Sequence, residues 1–223
     1  MKMRAGSHQK SDQAWVFACL LAACSLLAPV AAGQIPISSI EELQKIGNEP
    51  GYPLNGHYVL TRNIDASATA GWNFGAGFEP IGRDGEDSFT GIFDGQGHII
   101  KGLVINRPED SNVGLFGNVE SGATIQNLGL EDITVSGKDY VGGLVGHTFQ
   151  ARIEECYATG AVSGKDGVGG LVGANYSGDI TSCYATGAVS GEEDVGGLVG
   201  WNILDGTITS CYATGAVSGE DYV

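Results

Sequence analysis

The chain has 223 residues, enough for one ordinary domain or one solenoid, and 42% apolar against 17% charged residues excludes a disordered tail. Glycine is the outlier at 37 residues, yet proline is only 6 and no Gly-X-Y period runs through the chain, so a collagen-like helix is excluded as well. A formal charge of −15 repels phosphate backbones and anionic lipid; it argues against nucleic acid as a partner and favours cations or basic protein surfaces.

Residues 1–32 read as an export signal. Lys2, Arg4 and Lys10 make a basic start, Ala14 to Leu27 is almost wholly apolar, and Val30-Ala31-Ala32 before Gly33 suits a small-residue cleavage site. The apolar run is too short for a membrane span, so no transmembrane segment is expected in the mature fragment. A rival reading is lipoprotein processing, because Leu21-Ala22-Ala23-Cys24 has the lipobox pattern with Cys24 as the lipidated residue. Either way the chain is expected outside the cytoplasm, secreted or on the cell surface. Removing Lys2, Arg4, Lys10 and Asp12 from 11 basic and 26 acidic residues leaves 8 and 25, a net charge of −17.

Residues 33–88 are expected to form an N-terminal cap and a first irregular coil. Within them Ser39-Ile40-Glu41-Glu42 is a capping-box pattern ahead of a short helix through Leu43 and Ile46, stopped by Gly47, which would plug the open end of a core.

Residues 89–223 carry internal repeats. Cys-Tyr-Ala-Thr-Gly-Ala-Val-Ser-Gly begins at Cys156, Cys183 and Cys211, a period of 27 and then 28, and Val-Gly-Gly-Leu-Val-Gly begins at Val141, Val168 and Val195, a period of 27 throughout. A weaker copy precedes them: Val113 to Gly117 stands 28 residues before Val141, and Ile125 to Leu130 aligns with Ile153 to Ala158. An earlier one still is Gly91-Ile92-Phe93 followed by Ile100 to Ile105. Each repeat has short runs rich in Val, Ile, Thr and Tyr cut by Gly, where a helix would lose roughly 1 kcal/mol at every interior Gly. One such unit cannot bury its own apolar side, so neighbours must stack. The expectation is an all-β protein, a parallel β-helix. Leucine-rich repeats fit the Ile125-x-x-Leu128-x-Leu130 spacing but would need a helical return segment that no repeat offers.

Period-2 alternation puts Cys156 and Ala158 on one side and Tyr157 and Thr159 on the other, with Leu128 and Leu130 marking the Cys/Ala side as interior. The final Ser218 to Val223 matches Ser136 to Val141, after which a Gly-Gly-Leu-Val-Gly strand is due. The sequence is thus expected to stop in mid-repeat, with the remainder of the same polypeptide as a partner.

The repeats resemble the GLUG-motif proteins, on Gly114-Leu115-Phe116-Gly117, Gly143-Leu144-Val145-Gly146, Gly170-Leu171-Val172-Gly173 and Gly197-Leu198-Val199-Gly200. Phe89 to His98 is similar to the lead-in coil found upstream of such repeats. The resemblance implies a right-handed coil in a secreted or surface-exposed bacterial protein, of the kind found in filamentous-haemagglutinin-like adhesins and in non-catalytic parts of bacterial immunoglobulin A peptidases. It implies no biochemical activity.

Catalysis needs different residues converging at one place, whereas residues 141–222 set nearly the same residues at every coil, so no enzyme activity and no cofactor are expected in this fragment. His57, His98 and His147 are scattered, with no Ser, Cys or second His at motif spacing. Cys156, Cys183 and Cys211 are expected as reduced buried thiols, because stacked residues sit near ~4.8 Å, too far at Cβ for a relaxed disulfide. Acidic residues recur at one turn, and Asp139, Asp166, Asp194 and Asp221 are calcium candidates against the plainer reading of a solvated turn. Asp94-Gly95-Gln96-Gly97 reads as a turn before it reads as a metal site. Tyr157, Tyr184 and Tyr212, with Thr159, Thr186 and Thr214 beside them, form an outward stripe suited to a carbohydrate or an extracellular protein ligand, or to self-stacking along the rod. Asn175-Tyr176-Ser177 has the glycosylation-acceptor pattern. Two function classes follow: a non-enzymatic surface module for adhesion or ligand presentation, or a non-catalytic stalk of a larger secreted enzyme, immunoglobulin A peptidase-like or polysaccharide-acting.

Overall fold

Strand pairing is parallel in every named pair, and each strand pairs with its counterpart one repeat away, so the chain winds as a solenoid of stacked coils. The computed structural model describes residues 33–83 and 87–223. The expected export signal and Cys24 lie outside the described residues.

One coil shows the plan. Asp139–Gly142 lies on a three-stranded short sheet, Val145–Phe149 on a four-stranded aromatic sheet, Arg152–Glu154 on a seven-stranded polar sheet, and Tyr157–Ser163 on a nine-stranded long sheet. The register is the one the repeats predict. Val145 faces Val172, Ile153 faces Ile180, Tyr157 faces Tyr184, and the weaker copy joins through Val113 to Val141, Ile125 to Ile153 and Leu130 to Ala158. Seven strands in the polar sheet span six spacings of about 4.8 Å, a rod of roughly 29 Å.

Alternation drives the packing. Leu144, Val145, Ile153, Cys156, Ala158 and Val162 are all buried, and so are their equivalents Leu171, Val172, Ile180, Cys183, Ala185 and Val189 one coil on. Toward the N-terminus the interior is aromatic instead, with Phe89 and Phe116 ring centroids 5.0 Å apart and Phe93 set edge-on to Phe116 at 5.3 Å.

The N-terminal helix α1, Ile40–Gln44, begins as the capping pattern requires, with Ser39 Oγ accepting from Glu42 N at 3.2 Å. The Glu42 carboxylate reaches back one residue further than in the standard box, accepting from Ser38 N at 2.7 Å. Ile40, Leu43 and Ile46 join the core cluster and close this end of it. A nine-residue 3-10 segment, Ser67–Gly75, was not legible in the sequence; it is broken inside by Asn73 and Phe74 at positive φ.

One alignment is corrected. Gly91-Ile92-Phe93 does not occupy the Gly-Leu-Val position of its coil, because Phe93 pairs with Ile125 on the polar sheet, and the partner of Phe116 is Ile81. The first coils keep the winding without keeping the motif.

Candidate ligand-binding faces

The Gly-Leu-Val-Gly motif is a packing device. Its Leu and Val point inward, and the flanking glycines bring backbones together at the fold-back between the short and aromatic sheets. A Cβ on Gly142, Gly169 or Gly196 would run into the carbonyl oxygen of Val145, Val172 or Val199, and one on Gly173 into the backbone of Tyr140 and Val141 in the preceding coil. These positions need the missing Cβ, not an unusual φ. The left-handed corners fall elsewhere, at Tyr140, Gly167, Asp194 and Tyr222, and again at Asn127, Glu155, Ser182 and Ser210.

The three thiols form an internal file. Cys183 Sγ accepts from Cys156 N at 3.4 Å, Cys211 Sγ accepts from Cys183 N at 3.3 Å, and the Cys156 and Cys183 thiols lie 3.7 and 3.6 Å from the carbonyls of Ile125 and Ile153. All three are free cysteines, and burial pushes the Cys156 thiol well above the ordinary range. Cys156 and Cys183 are buried and act as small core residues, whereas Cys211, expected buried, is half-buried on its coil.

On the outside of the long sheet Tyr157, Tyr184 and Tyr212 stack almost perfectly parallel, with centroids 4.8 and 5.0 Å apart and planes within 2° and 4°. Tyr157 also lies over Gly129, where a Cβ would collide with its ring. The faces of Tyr157 and Tyr184 are thereby used by their neighbours, and what the stripe offers outward is ring edges and hydroxyls. Sugar stacking needs an open ring face, so this geometry favours self-stacking. Burial, then the hydrogen bond from its hydroxyl to Glu131 at 3.1 Å, pushes Tyr157 up to about 12. Thr159 is half-buried and accepts from Asp132 N at 3.2 Å, while Thr186 and Thr214 are exposed.

The acidic turn is also a file rather than a shell. Asp139 faces Asp166, Asp166 faces Glu193, and Glu193 bridges to Asp221, while Asp194 sits one residue on, level with Gly167. Asp139 accepts from Ser111 Oγ at 3.1 Å and pairs with Lys138 at 3.2 Å. Asp166 differs, since its Oδ1 is enclosed without a hydrogen-bond donor; burial first, then the charges of Asp194 and Asp139, raise its carboxyl above the ordinary range. Among the described residues no three His, Cys, Asp or Glu side chains form a group suited to a metal ion.

Asp94 is the opposite case. Burial alone would raise its carboxyl, but donors from Gln96 N at 2.9 Å, Gln96 Nε2 at 2.6 Å, Gln126 at 3.0 Å and Asn127 at 3.0 Å hold it below the usual range. It ties a turn to the next coil, as expected of a turn residue. His57, His98 and His147 are not brought together: His98 meets Asn63 at 3.1 Å and His147 meets Asn118 at 2.6 Å. Asn175 is fully buried, its amide donating to Asn202 at 2.8 Å and to Gly178 at 3.1 Å, so the glycosylation pattern there is inaccessible in the folded chain.

The sequence reading missed a second aromatic group. On the aromatic sheet the outward position next to the fold-back is filled in turn by Asn118, His147, Ala174 and Trp201. Tyr140 reaches across from the short sheet to Trp201, edge-on at 5.4 Å, and to His147 at 6.2 Å, while His147 lies 4.9 Å from Tyr176. No repeat signalled it, because each coil contributes a different residue.

Comparison with known proteins agrees with this architecture. Residues 139–163, 166–190 and 191–218 match the family model described as the GLUG motif. The chain is 41% identical over 130 residues, 56% of its length, to "Halomucin" of Haloquadratum walsbyi, covering 1% of that protein. It is 36% identical over 114 residues, 49% of its length, to a "Putative Gly-rich membrane protein" of Evansella cellulosilytica, covering 13% of it. Among solved structures, that of a "putative immunoglobulin A1 protease" from Bacteroides ovatus superposes with a TM-score of 0.68 at 23% identity, over 84% of this chain and 59% of that one. The chain thus spans only a small part of these two relatives and under two thirds of the solved structure. Three consecutive matches to the GLUG motif model thus lie in register on the coils described above, in a chain folded as a parallel β-helix.

Proposed function

We propose that this chain is a non-enzymatic exported module that presents a repetitive outer face to an extracellular protein or carbohydrate. The observation that carries this reading is the repeat geometry itself: chemistry-bearing residues lie in parallel files along the rod and do not converge. A catalytic centre needs a nucleophile, a base and an orienting group within hydrogen-bond reach of one another. The leader-like residues 1–32 support export, as does a relative described as a membrane protein. Among the described residues no helix is long and apolar enough to cross a membrane. Within this reading the carboxylate file keeps the rod soluble, and millimolar calcium is expected to leave the melting temperature unmoved.

The test is to express the whole chain in a bacterial host and probe intact cells and medium with an antibody to residues 33–223. Signal on unbroken cells or in the medium is expected; signal only after lysis overturns the reading. A second reading, a non-catalytic stalk of a larger secreted enzyme, is favoured by the fold shared with the protein described as an immunoglobulin A1 protease. For either, the purified chain should leave immunoglobulin A1, pectin-like and chitin-like substrates intact.

A further inference from the structure

The fold-back between the short and aromatic sheets is where the coils stop being copies of one another. Gly167 and Ala174 are the small residues of the middle coil there, with Tyr140 and His147 on the coil before and Trp201 on the coil after. Tyr140 leans over Gly167, close enough that a Cβ on that glycine would meet its ring at 2.8 Å. Four half-buried rings, Tyr140, His147, Tyr176 and Trp201, therefore share one crease. Asp139 and Asp166 lie near enough to Tyr140 for their charges to act on it, and Asp194 lies beside Asp166. Asp139 already has a lysine and a serine, whereas Asp166 is half-buried, its Oδ1 enclosed with no donor from the protein, so that a ligand would meet its outer oxygen.

Aromatic faces attract cations through the ring quadrupole, and a neighbouring carboxylate adds a direct charge partner. An apolar crease alone would suit many ligands. One bordered by carboxylates, on a chain with a charge of −15, selects for positive charge combined with apolar surface. We propose that this crease binds an arginine or lysine side chain of a partner protein, the alkyl stem against Trp201 and Tyr140 and the cationic head against Asp166. The proposal deepens the reading of the rod as a binding module and rests on it. It also moves the ligand face away from the tyrosine stripe, where the ring faces of Tyr157 and Tyr184 are occupied.

The experiment titrates tri-arginine, and separately tri-lysine, into the ¹⁵N-labelled chain at low salt while following the indole N–H of Trp201. That resonance should move in a saturable way with one or both peptides, and not with tri-glutamate. Asp166→Asn, read at the Trp201 indole, and Trp201→Leu, read at the backbone amides of Gly167 and Ala174, should each weaken binding at least fivefold. Asp132→Asn, the same charge change on the long sheet, should leave it within twofold. If Trp201→Leu disturbs the fold, the isosteric Asp166→Asn decides alone. An unmoved indole at millimolar peptide overturns the proposal, and so does an equal loss in Asp132→Asn, which would reduce the effect to net charge. Failure here leaves the cell-surface assay standing; failure of that assay leaves the peptide titration standing.

Discussion

The two ends of the rod solve the same packing problem with different materials. In the first coils the interior is filled by Tyr58, Phe78, Phe89, Phe93 and Phe116, large rings that meet at individual angles. In the later coils it is filled by Leu, Val, Cys and Ala of nearly constant size, and each coil lies on a copy of itself. Mixed large side chains need one particular fit, so their coils cannot be exchanged. Small, uniform ones give up burial per residue and gain an interface that repeats. The enclosed carboxylates follow the same division, with Asp94 fully served by donors in the early region and Asp166 Oδ1 without one in the later region.

The largest break in this contrast is expected from Phe93→Ala, which removes a ring packed edge-on to Phe116. It should cost about 3–5 kcal/mol in urea unfolding. The uniform region should fail differently, by crowding rather than by a void. Gly169→Ala forces a methyl onto the carbonyl of Val172 and should cost about 1–3 kcal/mol, whereas the same change at Gly51, which has open space around it and no positive φ, should be near neutral in the same melt. Tyr184→Ala deletes two stacked pairs at once and should cost about 0.5–1.5 kcal/mol per pair, read by thermal denaturation; no loss would mean the file of rings contributes nothing to cohesion.

The smallest effects concern pH and have opposite signs. Asp94 has its folded carboxyl lowered, so it contributes stability above the unfolded value that is lost as pH falls through the folded one; Asp94→Asn should destabilise at pH 7 and lose that effect in acid. Asp166 has its folded carboxyl raised by burial and by its neighbours, so the folded state binds more protons and stability falls as pH rises through the raised value. Asp166→Asn should therefore stabilise slightly at pH 7 and not below the ordinary carboxylate range. Matching slopes in melting temperature against pH for the two variants would refute the assigned environments.

How far the sequence could be read follows the same divide. Where Cys-Tyr-Ala-Thr-Gly-Ala-Val-Ser-Gly recurs, register, inward face and outward tyrosines were all legible, because identical residues stacked in parallel can only pair with themselves without leaving a mismatch. In the first coils the repeat is absent, and Gly91-Ile92-Phe93 resembled the motif while lying on a different sheet. The left-handed corners were hidden because Tyr140, Gly167, Asp194 and Tyr222 share a conformation while the two middle coils replace the tyrosine with glycine and aspartate. That also explains the acidic turn, where choosing aspartates by type selected Asp194 while the backbone places Glu193 opposite Asp166. The aromatic crease was invisible for a related reason: its rings come from three coils, and His147 and Trp201 stand where the coil between them has Ala174.

Copies stacked on copies have a further consequence at the level of the gene. Cutting out or duplicating one stretch of 27 codons within the uniform region would join Ala158-type neighbours to Ala185-type neighbours, the contact already present there. The rod would change length by about 4.8 Å with its interior contacts kept, while the outer residues at the fold-back would meet new neighbours. Unequal recombination between near-identical repeats is then a silent event for the core, and the reach of the protein becomes a quantity that can drift without a single new interior contact having to be selected.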